Sequence, residues 1–196
     1  LKLPKICLIC DMTYQGQEPI CSLCLAYLPY LKDYCFSCGS VVKPPNTYCK
    51  SCIHDGSILH QFCAPFSYEK PIKDLIHLYK YQSGIDLVHF FCDLIIQSLP
   101  KSALKTQCLI PAPLHIKKLK KRGFHQTMYL AKHLSKKLKI PVSNQYCQKI
   151  KYTEAQSKLT KEERTNNLTH SFNFIQPPYE HITLIDDVHT TGTTLN

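Results

Sequence analysis

The chain has 196 residues, 44% of them apolar and 19% charged, with a formal net charge of +10. This length and balance suit one sizeable core plus a small accessory module, and exclude a disordered or fibrous chain. No stretch reaches the roughly 18 uninterrupted apolar residues of a membrane helix, and residues 1–10 lack the apolar core of a secretory signal, so no membrane insertion is expected.

Eight of the twelve cysteines fall into four C-x-x-C pairs: Cys7/Cys10, Cys21/Cys24, Cys35/Cys38 and Cys49/Cys52. Their first members are 14 residues apart each time, which suggests a duplicated unit. Zinc takes four soft ligands in a tetrahedron, and a two-residue spacer lets each pair chelate from a tight turn. Residues 1–55 are therefore predicted to form a double zinc ribbon holding two structural ions. Four thiolates per ion leave no open position for catalysis. Sequential pairing of the knuckles is preferred to a cross-brace, because each unit then closes through a short loop. Gly39 after Cys38 supplies the conformational freedom a knuckle needs; the other three knuckles lack it. Paired clustering without a secretory signal points to a reducing compartment, the cytoplasm. With eight thiolates and two zinc ions, +10 becomes +6, still enough to favour a polyanionic partner.

Residues 56–68 are apolar and read as a strand. Pro71 suits a helix start, and Ile72, Leu75, Ile76 and Tyr79 share one helical face. Lys73 and Lys80 on that helix read as ligand contacts or as a solvated face. Gln82-Ser83-Gly84 breaks the helix, and a second one follows with Leu87, Phe91, Leu94 and Ile95 inward, ending before Pro100. Gln107 to Ala112 reads as a buried strand. Next comes the densest basic run, Lys117, Lys118, Lys120, Lys121 and Arg122. Lys117, Lys118, Lys120 and Lys121 are candidate nucleic-acid contacts, while Lys121, Arg122 and His125 are expected on a loop able to neutralise a diphosphate. A helix over residues 123–139 is predicted, burying Phe124, Met128, Ala131, Leu134 and Leu138, with Pro141 as its stop. Val142 opens a short strand, Thr160 and Glu163 form a capping box, and residues 171–175 suggest another strand. The order strand, helix, strand predicts an α/β sheet with crossover helices.

His181 to Ile185 is an apolar strand followed by Asp186 and Asp187, two spacers, and Thr190-Thr191-Gly192-Thr193-Thr194. In α/β sheets ligands sit at the carboxyl ends of strands. Two carboxylates there can hold sugar hydroxyls and a hydrated cation. A Thr/Gly loop opening a helix offers amides and hydroxyls to a phosphate. A P-loop would need Lys after Gly and is excluded.

This stretch resembles the phosphoribosyl diphosphate (PRPP) motif of type I phosphoribosyltransferases. The resemblance implies that Asp186 and Asp187 bind ribose hydroxyls, directly or through Mg²⁺, and that Thr190, Thr191, Gly192, Thr193 and Thr194 cradle the 5′-phosphate of PRPP or ribose 5-phosphate. Purine-salvage members carry an acid where Thr190 stands, so purine salvage is disfavoured. The four cysteine pairs, Lys80-Tyr81, Ile110-Pro111-Ala112-Pro113-Leu114, Arg122-Gly123-Phe124-His125-Gln126, and Gln156 with Arg164 and Asn167 together resemble the ComF family over essentially the whole chain. That family commonly has Asn where His125 stands, and Arg near Lys149 to Lys151. It implies a type I phosphoribosyltransferase-like parallel sheet with flanking helices over residues 56–196. Because the family continues with a helix and a strand beyond the phosphate loop, this domain is expected to be truncated at its C-terminus. The implied role is natural transformation, handling single-stranded DNA in the cytoplasm. The alternatives are an active phosphoribosyltransferase with an unknown acceptor, or a zinc-ribbon adaptor that docks on a partner such as a DNA-translocating helicase, with a vestigial phosphate site.

Overall fold

The computed structural model describes residues 3–56, 59–81, 84–150 and 171–189. Two compact units divide the chain, residues 1–99 and residues 100–196.

The first unit opens with two copies of one small motif, offset by 28 residues so that Cys7 falls on Cys35. In the first copy β1 (Lys5–Ile6) pairs antiparallel with β2 (Thr13–Tyr14). Each copy ends in a one-turn helix, α1 (Ser22–Ala26) or α2 (Lys50–His54). The repeat extends to single hydrogen bonds. Leu8 N–H donates to Pro19 O at 3.1 Å, and Phe36 N–H donates to Thr47 O at 3.0 Å. Two longer helices follow. In α3 (Ile72–Tyr81) the buried residues are Ile72, Leu75 and Tyr79; in α4 (Leu87–Ser98) they include Leu87, Val88, Phe90, Phe91 and Leu94. The predicted apolar faces are therefore the buried ones, with Ile76 and Ile95 half-buried beside them. Pro71 lies immediately before α3, its carbonyl accepting from Leu75 N–H at 3.1 Å. The stretch 56–68 differs from expectation: where it is described it is an irregular segment, with one isolated bridge, Phe66 to Tyr30. Its apolar side chains pack rather than pair. Phe62 meets Tyr34 edge-on, and Phe66 lies against Tyr30.

The second unit is built on β3 (Cys108–Pro111), buried at all four positions. It runs parallel to β6 (Ile182–Ile185), with Cys108 opposite Ile182 and Pro111 opposite Ile185. A parallel bridge from Leu109 to Val142 borders its other side. A strand covered on both sides reads as an unbroken apolar run, which is why residues 107–112 are legible as buried. Between β3 and Val142 lie two helices, α5 (Ile116–Arg122) and α6 (Gln126–Leu138). β4 (Cys147–Lys149) pairs antiparallel with β5 (Phe172–Phe174). Buried Cys108, Ile110 and Tyr146 form a core, against which Cys147, Tyr179, Ile182 and Leu184 pack.

The basic run departs from the loop expected there. It forms α5, because His115 caps the start, accepting from Lys117 N–H, and Gly123 ends it in the left-handed region at φ 81°. Lysine, leucine and arginine between those two signals are good helix formers. α6 starts after that Gly, and its buried side is Gln126, Thr127, Leu130, Ala131 and Leu134; Phe124, Met128 and Leu138 are half-buried. Among the described residues no helix is long and apolar enough to cross a membrane. The Thr160–Glu163 capping box falls outside the described residues.

Candidate metal centres and anion-binding site

Cys7, Cys10, Cys21 and Cys24 form one cluster, and Cys35, Cys38, Cys49 and Cys52 a second; within each the sulfur atoms lie within 4.8 Å of one another. The pairing is sequential. In each ribbon the first C-x-x-C pair sits in a turn whose next residue has positive φ, Asp11 at 57° and Gly39 at 74°. Asp11 N–H donates to Cys7 O at 3.0 Å, and Gly39 N–H to Cys35 O at 2.8 Å. The second pair of each ribbon opens a helix: Cys21 and Cys49 are N-caps whose sulfurs accept from Cys24 N–H and Cys52 N–H. Two kinds of knuckle alternate, and only the turn kind needs a left-handed residue. Asp serves in the first because short polar side chains tolerate that region.

The sulfur geometry fits zinc. A tetrahedron with Zn–S bonds of about 2.3 Å has edges of about 3.8 Å; Cys10 and Cys21 sulfurs are 3.9 Å apart, Cys38 and Cys49 sulfurs 3.6 Å. The protonation pattern points the same way. Burial pushes the Cys7 thiol up, but the amide groups of Cys21, Cys10 and Ile9 outweigh it and bring it to about 6. Cys35 is likewise brought to about 6, by Cys49, Cys38 and Ser37 against burial. Cys24 and Cys52 are instead pushed up to about 12, by burial and then by their own ribbon's cysteines. Four thiolates cannot ionise together at this spacing without a cation between them. The two Cys₄ clusters are thus compatible with two structural zinc ions. Cys63, Cys92, Cys108 and Cys147 belong to neither.

In the second unit a charged site assembles where β3 and β6 end. The ladder runs one residue past the strands, Ala112 N–H donating to Ile185 O at 2.7 Å. Pro113-Leu114 and Asp186-Asp187 therefore leave the sheet side by side. Asp187 N–H donates to Asp186 Oδ1 at 2.8 Å. The start of α6 is tied to the same edge. Thr127 Oγ1 donates to Ala112 O at 2.8 Å, and Leu114 N–H donates to His125 Nε2 at 3.2 Å. Met128 N–H points at the other ring nitrogen, Nδ1, at 3.3 Å. A neutral imidazole has one acceptor nitrogen and an imidazolium none, so either amide bond requires uncharged His125. Burial accordingly pushes its pKa below the ordinary value; Arg122 adds to this and Asp187 opposes it.

Arg122 and Lys118 are one turn apart on α5 and both half-buried, whereas Lys117, Lys120 and Lys121 are exposed. Arg122 Nη1 donates to buried Gln126 Oε1 at 3.2 Å. Burial, then the charge of Arg122, holds Lys118 below the usual lysine range. Lys149 of β4 is also lowered, by burial and by Lys118, with Asp186 acting in the other direction. Lys118, Arg122, His125, Lys149 and the two carboxylates thus act electrostatically on one another. Of the residues expected to meet an anion, His125 feels the charge of Asp187, Arg122 bonds Gln126, Lys121 stands exposed on α5, and Thr190, Thr191, Gly192, Thr193 and Thr194 lie outside the described residues, as do Gln156, Arg164 and Asn167. Sequence reasoning assigned Lys118 to nucleic acid rather than to this site, and the i, i+4 relation of Lys118 to Arg122 was the available signal once the run is read as a helix. For Lys149 the signal was the family resemblance alone, which places Arg near Lys149 to Lys151.

No protein-family model matches the chain. It is similar along most of its length to curated proteins named for competence or for DNA utilization. It is 28% identical over 191 residues to Competence protein F of Haemophilus influenzae, covering 92% of this chain and 82% of that protein. With DNA utilization protein YhgH of Salmonella typhimurium the identity is 25% over 202 residues, covering 100% and 89%. With Competence protein ComFC of Bacillus subtilis it is 26% over 216 residues, covering 97% and 85%.

Proposed function

We propose, taking this kinship with the ComF family as the premise, that the chain serves DNA uptake in natural transformation, handling single-stranded DNA in the cytoplasm and binding a phosphoribosyl ligand at the carboxyl edge of β3 and β6. The observation that carries the ligand part is that Asp186 and Asp187 leave the sheet beside the Pro113-Leu114 loop, which His125 holds, with the charge of Asp187 acting on His125 and that of Asp186 on Lys149. A bare diphosphate would be repelled by two adjacent carboxylates. Ribose hydroxyls and a hydrated Mg²⁺ make the same pair attractive, and carboxylate oxygens suit that hard cation. Asp186 and Asp187 take the ribose side of PRPP or ribose 5-phosphate. Thr190, Thr191, Gly192, Thr193 and Thr194 take the 5′-phosphate, and Lys121 and Arg122 the diphosphate, with His125 holding the Pro113-Leu114 loop. This domain is read as a type I phosphoribosyltransferase-like sheet, and residues 1–55 as the ribbon module.

Calorimetry tests the ligand part. PRPP with Mg²⁺ should give saturable heat with the zinc-loaded protein and none with the Asp186→Asn, Asp187→Asn variant, at unchanged zinc content. If the unaltered protein ignores PRPP at millimolar concentration, the phosphate motif is a relic. The adaptor reading would then replace this one. It is favoured by the exposed Leu23 and Ile53 on the ribbon helices and Tyr27 just past the end of α1, 71%, 72% and 84% accessible, which would suit docking on a helicase.

A further inference from the structure

We infer that the outward face of α6 is a base-stacking platform for single-stranded nucleic acid, an inference that rests on the DNA reading above. Between Asp93 and Glu154 the sequence contains no acidic residue, yet it carries more than half of the chain's 24 lysines and arginines. α6 lies in the middle of this stretch. Its inward side is Gln126, Thr127, Leu130, Ala131 and Leu134. At 100° per residue, Tyr129, Lys132 and Lys136 fall on the opposite side, with His133 at its margin. Lys132 and Lys136 are exposed. Tyr129 is half-buried, outside the fully buried side of the helix, and its ring is held. The Phe124 ring meets it edge-on at 6.4 Å and the His133 ring lies at 4.5 Å. His133 is fixed in turn, its Nδ1 being 2.9 Å from Tyr129 O.

A ring held by two others, flanked by lysines three and seven residues on, spans about 10 Å of helix. Stacking on an aromatic face works for every base, and lysines alongside it follow the phosphates, so such a surface binds single strands with little sequence preference. The partner is a flexible polyanion with exposed bases. A duplex, whose bases are already stacked, gains only the charge term.

The test compares fluorescein-labelled dT20 with an abasic strand of the same length, by anisotropy on the zinc-loaded full chain over several salt concentrations. The unaltered protein should prefer dT20. Tyr129→Ala should weaken dT20 binding about five- to hundred-fold, the worth of one stacked base, and leave the abasic strand unchanged. Tyr129→Phe should keep the preference, and Tyr129→Leu, which preserves bulk without an aromatic face, should lose it. Lys132→Ala with Lys136→Ala should weaken both strands alike. If Tyr129→Ala and Tyr129→Leu retain the preference for dT20, or lose both strands equally, the platform is overturned while the DNA reading stands. If the unaltered protein does not bind dT20 at all, both fall.

Discussion

Asp11 and Gly39 occupy the same place in the two ribbons, yet they are not interchangeable. Both have positive φ, where a side chain costs roughly 1–2 kcal/mol. At Gly39 a Cβ would also meet the Phe62 ring at 2.5 Å. Gly39→Val should therefore lower the melting temperature of the zinc-loaded protein clearly, and Asp11→Gly should leave it equal or higher; thermal unfolding of the two variants measures this. His125 makes a second prediction at this scale. Its folded pKa lies below the ordinary 6.5, so the unfolded chain binds more protons just below that value. Stability then rises with pH through this window, is fully present above about 6.5, and is lost as pH falls toward the folded pKa. Denaturant titrations between pH 7 and 5.5 should show a stability loss in the unaltered protein that is smaller in His125→Asn, since Asn does not titrate. Equal slopes would mean that the uncharged ring is not held by accepting from either Leu114 or Met128.

A ribbon is an element too short to stand on apolar burial. Its helices, α1 and α2, span five residues each and bury none of them. The two Cys₄ clusters are compatible with zinc ions that would supply what packing does not, since structural zinc contributes folding free energy directly. Elemental analysis of fresh, reduced protein should find two zinc ions per chain. Cys7→Ser should leave one, and Cys147→Ser should leave both. One ion or none in the unaltered protein would contradict the double ribbon. α5 shows the same dependence on end signals rather than on burial. It buries no residue, and it exists between a histidine N-cap and a left-handed glycine. Its two faces then divide the basic run, leaving Lys118 and Arg122 half-buried and Lys117, Lys120 and Lys121 exposed.

At the scale of the whole molecule the charge decides which partners approach. Even after two zinc sites remove four units the chain keeps +6 of its +10, so binding to single strands should weaken steeply with salt. Replacing Lys117, Lys118, Lys120 and Lys121 by Ala should flatten the plot of log affinity against log salt by roughly 0.7 for each phosphate that is no longer neutralised; an unchanged slope would put the DNA path elsewhere. Much of this molecule is legible in its sequence. The two Cys₄ clusters, the faces of α3 and α4, the buried β3, and β5 and β6 all declare themselves through local spacing, because cysteine spacing, helical period and strand burial each repeat over a few residues. The basic run reads as a loop because its helix rests on caps, which leave no apolar stripe. The stretch 56–68 reads as a strand because apolar content alone does not say whether a segment pairs or merely packs. The grouping of Lys118, Lys149, Asp186 and Asp187 was decided only by tertiary structure. Lys118 lies on α5, Lys149 on β4 and the two aspartates just past β6, far apart in the chain, so no local spacing links them and only the folded chain lets their charges act on one another.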